Sequence, residues 1–305
     1  MPELPEVETV RRMLAANVLG RTIRTVRLSG LKLRERIPAD LPRRLAGRRI
    51  VAARRRGKYL LLELDDGPTV LSHLGMSGRW LFHAQPPRDR MPHVHATLRF
   101  ADGSVLRFQD PRRFGLLRLV DAEALSSDPS LGILGRDPIA DPPTGASLRA
   151  MADGTRVSVK VFLLDQRRIA GIGNIYASEI LHRAGLDPRT RAGAVRPEAW
   201  QRVARETRAV LGEAIERMGT TFSAYRTLWN EPGSYGDQLR VYDRAGEACP
   251  TCGTGVRRIV QGARSTFYCP RCQSGRSGRL RAASGPRKAA RTTASAPRRR
   301  SGARH

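Results

Sequence analysis

The chain has 305 residues, with 55 Lys or Arg against 28 Asp or Glu, a formal net charge of +27 and a pI near 11.5. Such a balance is the footprint of a polyanion binder, of which nucleic acid is the commonest. No stretch approaches the roughly 18 apolar residues that would span a bilayer, and the acidic N-terminus is unlike a secretory signal, so the expectation is a cytosolic protein long enough for two cores.

The chain opens Met-Pro-Glu-Leu-Pro-Glu-Val-Glu. Removal of Met1 would leave the ring nitrogen of Pro2 as a free amine. An α-amino group titrates nearer neutrality than a lysine and is a potential covalent catalyst. As a secondary amine it must form a cationic iminium with an aldehyde carbon, with Glu3 beside it as candidate general acid or base. Taken alone, a Pro at a helix start with glutamates in the first turn is ordinary capping chemistry.

A short helix, about Val7 to Asn17, leads into strand-like segments at Thr22–Leu28, Arg48–Arg54, Tyr59–Leu64, Thr69–Leu74, Thr97–Phe100, Val105–Phe108 and Leu116–Val120. Asp65-Asp66-Gly67 and Asp102-Gly103 are hairpin turns. Many short strands without long intervening helices predict an antiparallel β-sandwich. Within it, Lys58 follows three arginines and a glycine and is a candidate to approach a phosphate or a reacting sugar and to depress the Pro2 amine pKa. The loops His73-Leu-Gly-Met-Ser-Gly78 and Asp110-Pro-Arg-Arg-Phe-Gly115 carry Met76 and Phe114. In a basic DNA binder these are what a wedge needs to fill the gap left by an extruded base.

Residues 126–146, rich in Pro, Gly, Asp and Ser, read as an interdomain connection. Beyond them Val161–Asp165 is a short apolar turn, followed by a Gly171-Ile-Gly-Asn174 loop, a helix over Ile175–Ala184 and an amphipathic helix over 197–218. A glycine loop feeding a helix presents backbone N–H groups to a phosphate. Cys249-Pro-Thr-Cys252 and Cys269-Pro-Arg-Cys272 stand 16 residues apart. That is the spacing of a four-cysteine zinc site on a β-hairpin, one structural Zn2+ with no open coordination position. Ten of the positive charges lie in residues 274–305, which hold no acid, so the remainder still carries +17. This Ala/Ser/Gly/Pro/Arg tail cannot bury a core and is expected to be disordered and to add salt-sensitive affinity.

These pieces, in this order, resemble the bacterial formamidopyrimidine-DNA glycosylase family over about residues 1–273, through MPELPEVET, RRGKYLLLEL, HLGMSG, DPRRFG, LLDQRRIAGIGNIYASEIL, GTTF and ARSTFYCPRCQ. The resemblance implies an α+β protein of two domains. Residues 1–130 would form a catalytic β-sandwich with an N-terminal helix, 131–146 a linker, 147–244 a helix-two-turn-helix domain, 245–273 the zinc finger and 274–305 the tail. It implies a base-excision repair enzyme, a monomer in the bacterial cytoplasm at the nucleoid, that excises oxidised purines such as 8-oxoguanine and formamidopyrimidines from double-stranded DNA and nicks the strand by β,δ-elimination. Pro2 would attack C1′, Glu3 would shuttle protons at the sugar, Lys58 would assist β-elimination, and Arg264 would hold phosphates and act in δ-elimination. Met76, Arg112 and Phe114 would fill the void, with Arg112 facing the estranged cytosine. His93, Lys160 and Asn174 would touch backbone phosphate.

The chain has Asp153-Gly-Thr-Arg156 where a lysine-rich run is expected before Lys160, so Arg156 is the candidate DNA contact there. Two other readings compete. A sister branch, the endonuclease VIII-like enzymes, excises oxidised pyrimidines with the same proline, but it typically has glycine after the first glutamate and lacks a lid like residues 219–242. A non-catalytic DNA-binding paralogue would be expected to lose Pro2, Glu3 or Lys58, and all three are present.

Overall fold

The computed structural model describes residues 1–89, 91–221 and 225–274. The tail reading falls on 275–305, outside the described residues, as does Phe222 of the GTTF motif.

Helix α1 (Leu4–Val18) begins three residues earlier than the apolar periodicity suggests. The reason is its start chemistry. Pro5 occupies the first turn, where a missing N–H is harmless, and Glu3 and Glu6 form a reciprocal capping box. The opening motif is therefore the N-terminus of a helix, and its charged residues are placed by helix geometry.

Two four-stranded antiparallel sheets follow. One has the order β2 (Ile50–Arg56), β3 (Tyr59–Leu64), β4 (Thr69–His73), β8 (Leu116–Val120). The other has β1 (Ile23–Leu28), β6 (Val94–Phe100), β7 (Val105–Gln109), β5 (Arg79–His83), with a short helix α2 (Leu41–Leu45) beside β1. Leu60, Leu62, Trp80, Leu98 and Phe108 from the facing sheets share a core with Val7, Val10 and Leu14 of α1. Leu61 and Leu71 point the other way, into a second cluster with Leu116, Val120 and Leu131. Cover on both faces explains why β3 reads as an unbroken apolar run and not as an alternation. Strand β5 was not among the strands expected from the sequence. Its RWLFH pattern is short and flanked by charge, and it is held by pairing with β7.

Residues 131–137 pack against the sandwich, and Ile139 already joins the core of the helical half. Leu131 lies under the sheet, and Asp137 receives the guanidinium of Arg55, which also contacts Glu8 of α1. Helix α3 (Gly145–Ala152) then starts from a Thr144/Ser147 capping box. Val161–Asp165, read as an apolar turn, lies mostly within a helical segment, α4 (Val159–Leu164), capped by Ser158. With α5 (Asn174–Arg183) and α6 (Pro197–Glu216), these helices enclose a separate core around Phe162, Tyr176, Ile180, Trp200 and Leu211. The hairpin β9 (Arg257–Gln261) and β10 (Arg264–Tyr268) closes the described chain, with Val241, Val256, Phe267 and the cysteines in its own small cluster. An α+β chain with an N-terminal antiparallel sandwich, a helical second half and a four-cysteine hairpin is the fold class expected.

Candidate active site

The start of α1 and the start of α5 meet at Glu3. Its carboxylate accepts the backbone N–H of Gly173 at 2.9 Å, Ile175 at 3.0 Å and Tyr176 at 3.4 Å. An anion here sits on the positive end of the α5 dipole and satisfies the orphan amides of its first turn. The two glycines upstream make the approach possible. A Cβ on Gly173 would lie 2.3 Å from the Glu3 carboxyl carbon, and one on Gly171, whose φ is +98°, 2.6 Å from Leu4 Cδ1. The glycine loop therefore cradles a carboxylate of this chain, not the phosphate read from it.

Pro2 is buried and Met1 is half exposed. Burial lowers the pKa of the terminal amine; Lys58 and Arg112 add to the lowering, while Glu3 and Glu6 oppose it. That amine belongs to Met1 and not to Pro2; on it Lys58 acts in the lowering direction and is secondary to desolvation. Lys58 is itself buried, donates to the carbonyl oxygen of Ile172 at 3.3 Å, and has its pKa lowered by burial, with Glu3 opposing and Arg264 assisting. A terminal amine and a lysine whose pKa values are both lowered, beside a carboxylate, mark a place suited to covalent and proton-transfer chemistry.

Glu6 was not singled out by sequence. It is 1% exposed and accepts from the Glu3 N–H at 2.7 Å, the Tyr176 hydroxyl at 2.5 Å and the Thr220 N–H at 2.8 Å. Burial raises its pKa, as does the charge of Glu3. Glu6 thereby ties the segment after α6 to the start of α1. The only sequence signal was its place as the third residue of the capping box.

A second group lies beside the first. Lys160 is fully buried, yet its ammonium has no hydrogen-bond partner among the described residues, and the same is true of the Asn174 side-chain oxygen. The Asn174 amide donates to the Ser265 carbonyl of β10 at 2.8 Å. Burial, then the charge of Arg264, lowers the Lys160 pKa to about 8. Arg264 itself is exposed next to the hairpin turn. A buried donor left unpaired costs about 1–3 kcal/mol. An anion bound by Lys160 and Arg264 would supply the acceptor that donor lacks. Tyr242, hydrogen-bonded to Asn174, joins the group and was also missed, since nothing in the GDQLRVY stretch marks it. Arg156 is exposed two residues before the α4 cap and has no ion pair among the described residues.

The two glycine-flanked loops form one surface. Met76 is 39% exposed and Phe114 45%, so neither packs back on the core. The Arg112 guanidinium lies 4.9 Å from the Phe114 ring centroid. Buried Asp110 clasps the loops together, accepting from Ser77 Oγ at 2.5 Å and from the Gly115 N–H at 2.7 Å, while the Arg112 N–H donates to Ser77 Oγ. His93, exposed and in the left-handed region at φ 62°, accepts the Asp110 N–H through its carbonyl.

The four cysteine sulfurs all lie within 4.8 Å of one another, with Cys249 to Cys272 at 3.9 Å and Cys252 to Cys269 at 3.4 Å. Tetrahedral zinc with Zn–S of about 2.3 Å needs S···S separations of roughly 3.8 Å. The donor set fits one Zn2+ held by Cys249, Cys252, Cys269 and Cys272. No helix among the described residues is long and apolar enough to cross a membrane.

Comparison with known proteins agrees with this assembly. Family models match the formamidopyrimidine-DNA glycosylase N-terminal domain at residues 1–117, the H2TH domain of the same glycosylase at 134–226, and the zinc finger found in FPG and IleRS at 246–275. Relatives named formamidopyrimidine-DNA glycosylase from Methylococcus capsulatus and Paracoccus denitrificans are 45% identical over 275 residues and 46% over 286, covering 90% of this chain and all of each relative. Among solved structures, MutM (Fpg) from Thermus thermophilus is 40% identical with a TM-score of 0.79, covering 90% of this chain and 99% of its own. A Lactococcus lactis FPG mutant in complex with a Fapy-dG containing DNA is 31% identical with a TM-score of 0.82, covering 89% and 99%. The chain belongs to the formamidopyrimidine-DNA glycosylase family, whose enzymes are DNA glycosylases of base excision repair.

Proposed function

We propose that this chain is a bifunctional glycosylase and abasic-site lyase that removes oxidised purines from double-stranded DNA through an iminium at Pro2. The observation that carries the reading is the convergence of the chain's first residues, Glu3 and Lys58 beside the buried, unpaired Lys160 ammonium and its neighbours Asn174 and Arg264: a nucleophile and proton carriers next to an anion site.

After removal of Met1, the Pro2 nitrogen attacks C1′ and the bond from C1′ to the base breaks, the electrons leaving with the base. Glu3 takes the proton from the proline nitrogen and delivers it to O4′ as the C1′–O4′ bond opens, which leaves the cationic iminium. Loss of a C2′ proton expels the 3′ phosphate, with Lys58 placed to assist, and Arg264 supports departure of the 5′ phosphate. Reaching C1′ requires the nucleotide to leave the stack, at a cost of a few kcal/mol, and Met76, Arg112 and Phe114 fill the space it vacates. Lys160, Asn174, His93 and Arg156 hold backbone phosphates. The zinc supplies a structural cross-link that fixes the hairpin bearing Arg264. Every group in this scheme comes from a single chain, in keeping with a monomer.

Purine preference is supported by Leu4, where the pyrimidine branch typically has glycine after the first glutamate, and by the 219–242 segment. A Lactococcus lactis Fpg 30% identical to this chain has nevertheless been solved with an oxidised pyrimidine containing DNA, so the choice is one of preference. A protein that keeps Met1, or carries residues before it, has an amide at Pro2. Such a protein should bind abasic DNA nearly as well as the processed form and give no borohydride-trapped adduct; an undiminished adduct would overturn the assignment of Pro2.

A further inference from the structure

Helix α5 touches both functional ends of the zinc hairpin. At its N-terminus Asn174 donates to Ser265 near the hairpin turn, and just past its C-terminus the Leu186 carbonyl accepts from Gln273, next to Cys272. Between these anchors, in the last turn of α5, lies His182. It is 4% exposed, and its Nε2 is 3.4 Å from the sulfur of Cys249. Its other ring nitrogen, Nδ1, is buried without a partner among the described residues.

We propose that His182 is a positioning residue of the zinc centre, donating its Nε2–H to the Cys249 thiolate and so joining α5 directly to the metal site. A metal-bound thiolate has no proton to give. A nitrogen at this distance must then be the donor, and a neutral imidazole must carry its proton on Nε2. The bare Nδ1 agrees with that tautomer, because an N–H buried there would lack an acceptor. Outer partners of this kind hold a ligand's orientation and offset its charge, and four thiolates around one Zn2+ leave the centre with two net negative charges. The consequence reaches the reaction site through one rigid element. The same helix whose last turn would grip Cys249 presents its first-turn amides to Glu3, so the zinc base, the Arg264 end of the hairpin and the Glu3 carboxylate are held by one helix. This inference concerns the metal site and stands apart from the assignment of Pro2.

The test uses the full chain with 113Cd in place of zinc. Long-range 1H–15N spectra should show His182 protonated at Nε2, with scalar coupling from that proton to the cadmium across the N–H···S bond. Protonation at Nδ1, or no coupling, would overturn the proposal. In the zinc protein, H182F should lose metal to excess chelator about 10-fold faster than wild type, and H182Q, whose amide can still donate, should stay close to wild type. Equal rates for wild type and H182F, or no rescue by H182Q, would also overturn it. If H182F does not fold, the spectrum of the wild-type protein decides alone.

Discussion

Gly173 leaves room for Glu3 and for little else: its N–H donates to the carboxylate at 2.9 Å, and a Cβ in its place would stand 2.3 Å from the carboxyl carbon. The acid is therefore located by the absence of a side chain 170 residues away. Gly173→Ala should push Glu3 off the α5 N-terminus. Single-turnover excision should fall by about 100-fold, the order expected of an ångström-scale misplacement at a reacting centre. Affinity for abasic DNA should change little, because the phosphate group is not displaced. A variant with wild-type excision would show that the Glu3 position is not critical.

Lys160 supplies a pH dependence. Burial and Arg264 lower its pKa to about 8 from the usual 10.5, so between those values the unfolded chain binds more protons than the folded one. Stability of the free protein should accordingly rise with pH across that window, relative to Lys160→Met. Phosphate binding needs the ammonium, so wild-type affinity should weaken over the same window while Lys160→Met stays flat. At neutral pH the variant should also lower the salt slope of binding by about one. Binding titrations at several pH and salt values check both.

The wedge can be separated from the lyase. Phe114→Ala and Met76→Ala remove apolar bulk from an exposed surface and should leave stability within about 0.5 kcal/mol. Excision of a damaged base should drop by about 10-fold or more, since the vacated stack goes unfilled. Cleavage at a preformed abasic site, where no base must be extruded, should be affected far less. Equal losses on both substrates would place these residues in general DNA binding.

Arg55 joins the N-terminal helix to the stretch that precedes the helical half. Its side chain is 4% exposed, 2.6 Å from Asp137 and 3.0 Å from Glu8. Burial alone would raise the pKa of both acids; for Glu8 the hydrogen bonds from Arg11 and Arg55 outweigh it, and for Asp137 those from Arg55 do. Arg55→Met would leave buried Asp137 without its ion-pair partner, while Glu8 keeps Arg11 and Arg12, and should cost about 3–5 kcal/mol, seen as a lower denaturation midpoint in urea. With folded pKa values below the unfolded ones, the cluster contributes stability above the ordinary carboxylate range that is lost as pH falls through it. Acid destabilisation should be shallower in the Arg55→Met variant.

Much of the fold was legible because its signals are local. The hairpin glycines, the CxxC pairs and the 3.6-residue periodicity of α6 each act within a few residues. Helix α3 was hidden at the end of a Pro- and Gly-rich stretch, where its start signal was Thr144 and Ser147, and β5 was hidden because its stability comes from β7. At the site, Glu3 and Lys58 stood in recognisable motifs. Glu6 and Tyr242 stood in stretches already quoted and His182 just past one, yet none was marked there, since what defines them is a partner at long sequence distance: Thr220 for Glu6, Asn174 for Tyr242 and Cys249 for His182. The glycine loop was read as a phosphate cradle because periodicity cannot show that Glu3 already fills it.

The measurement closest to the central claim is borohydride trapping of the untagged protein on a duplex with 8-oxoguanine opposite cytosine, beside one carrying an oxidised pyrimidine, followed by peptide mapping of the adduct. A covalent adduct at Pro2 that forms faster on the purine lesion is the expected result. An adduct at Lys58 or another lysine, or tight binding with no adduct on either duplex, would contradict it.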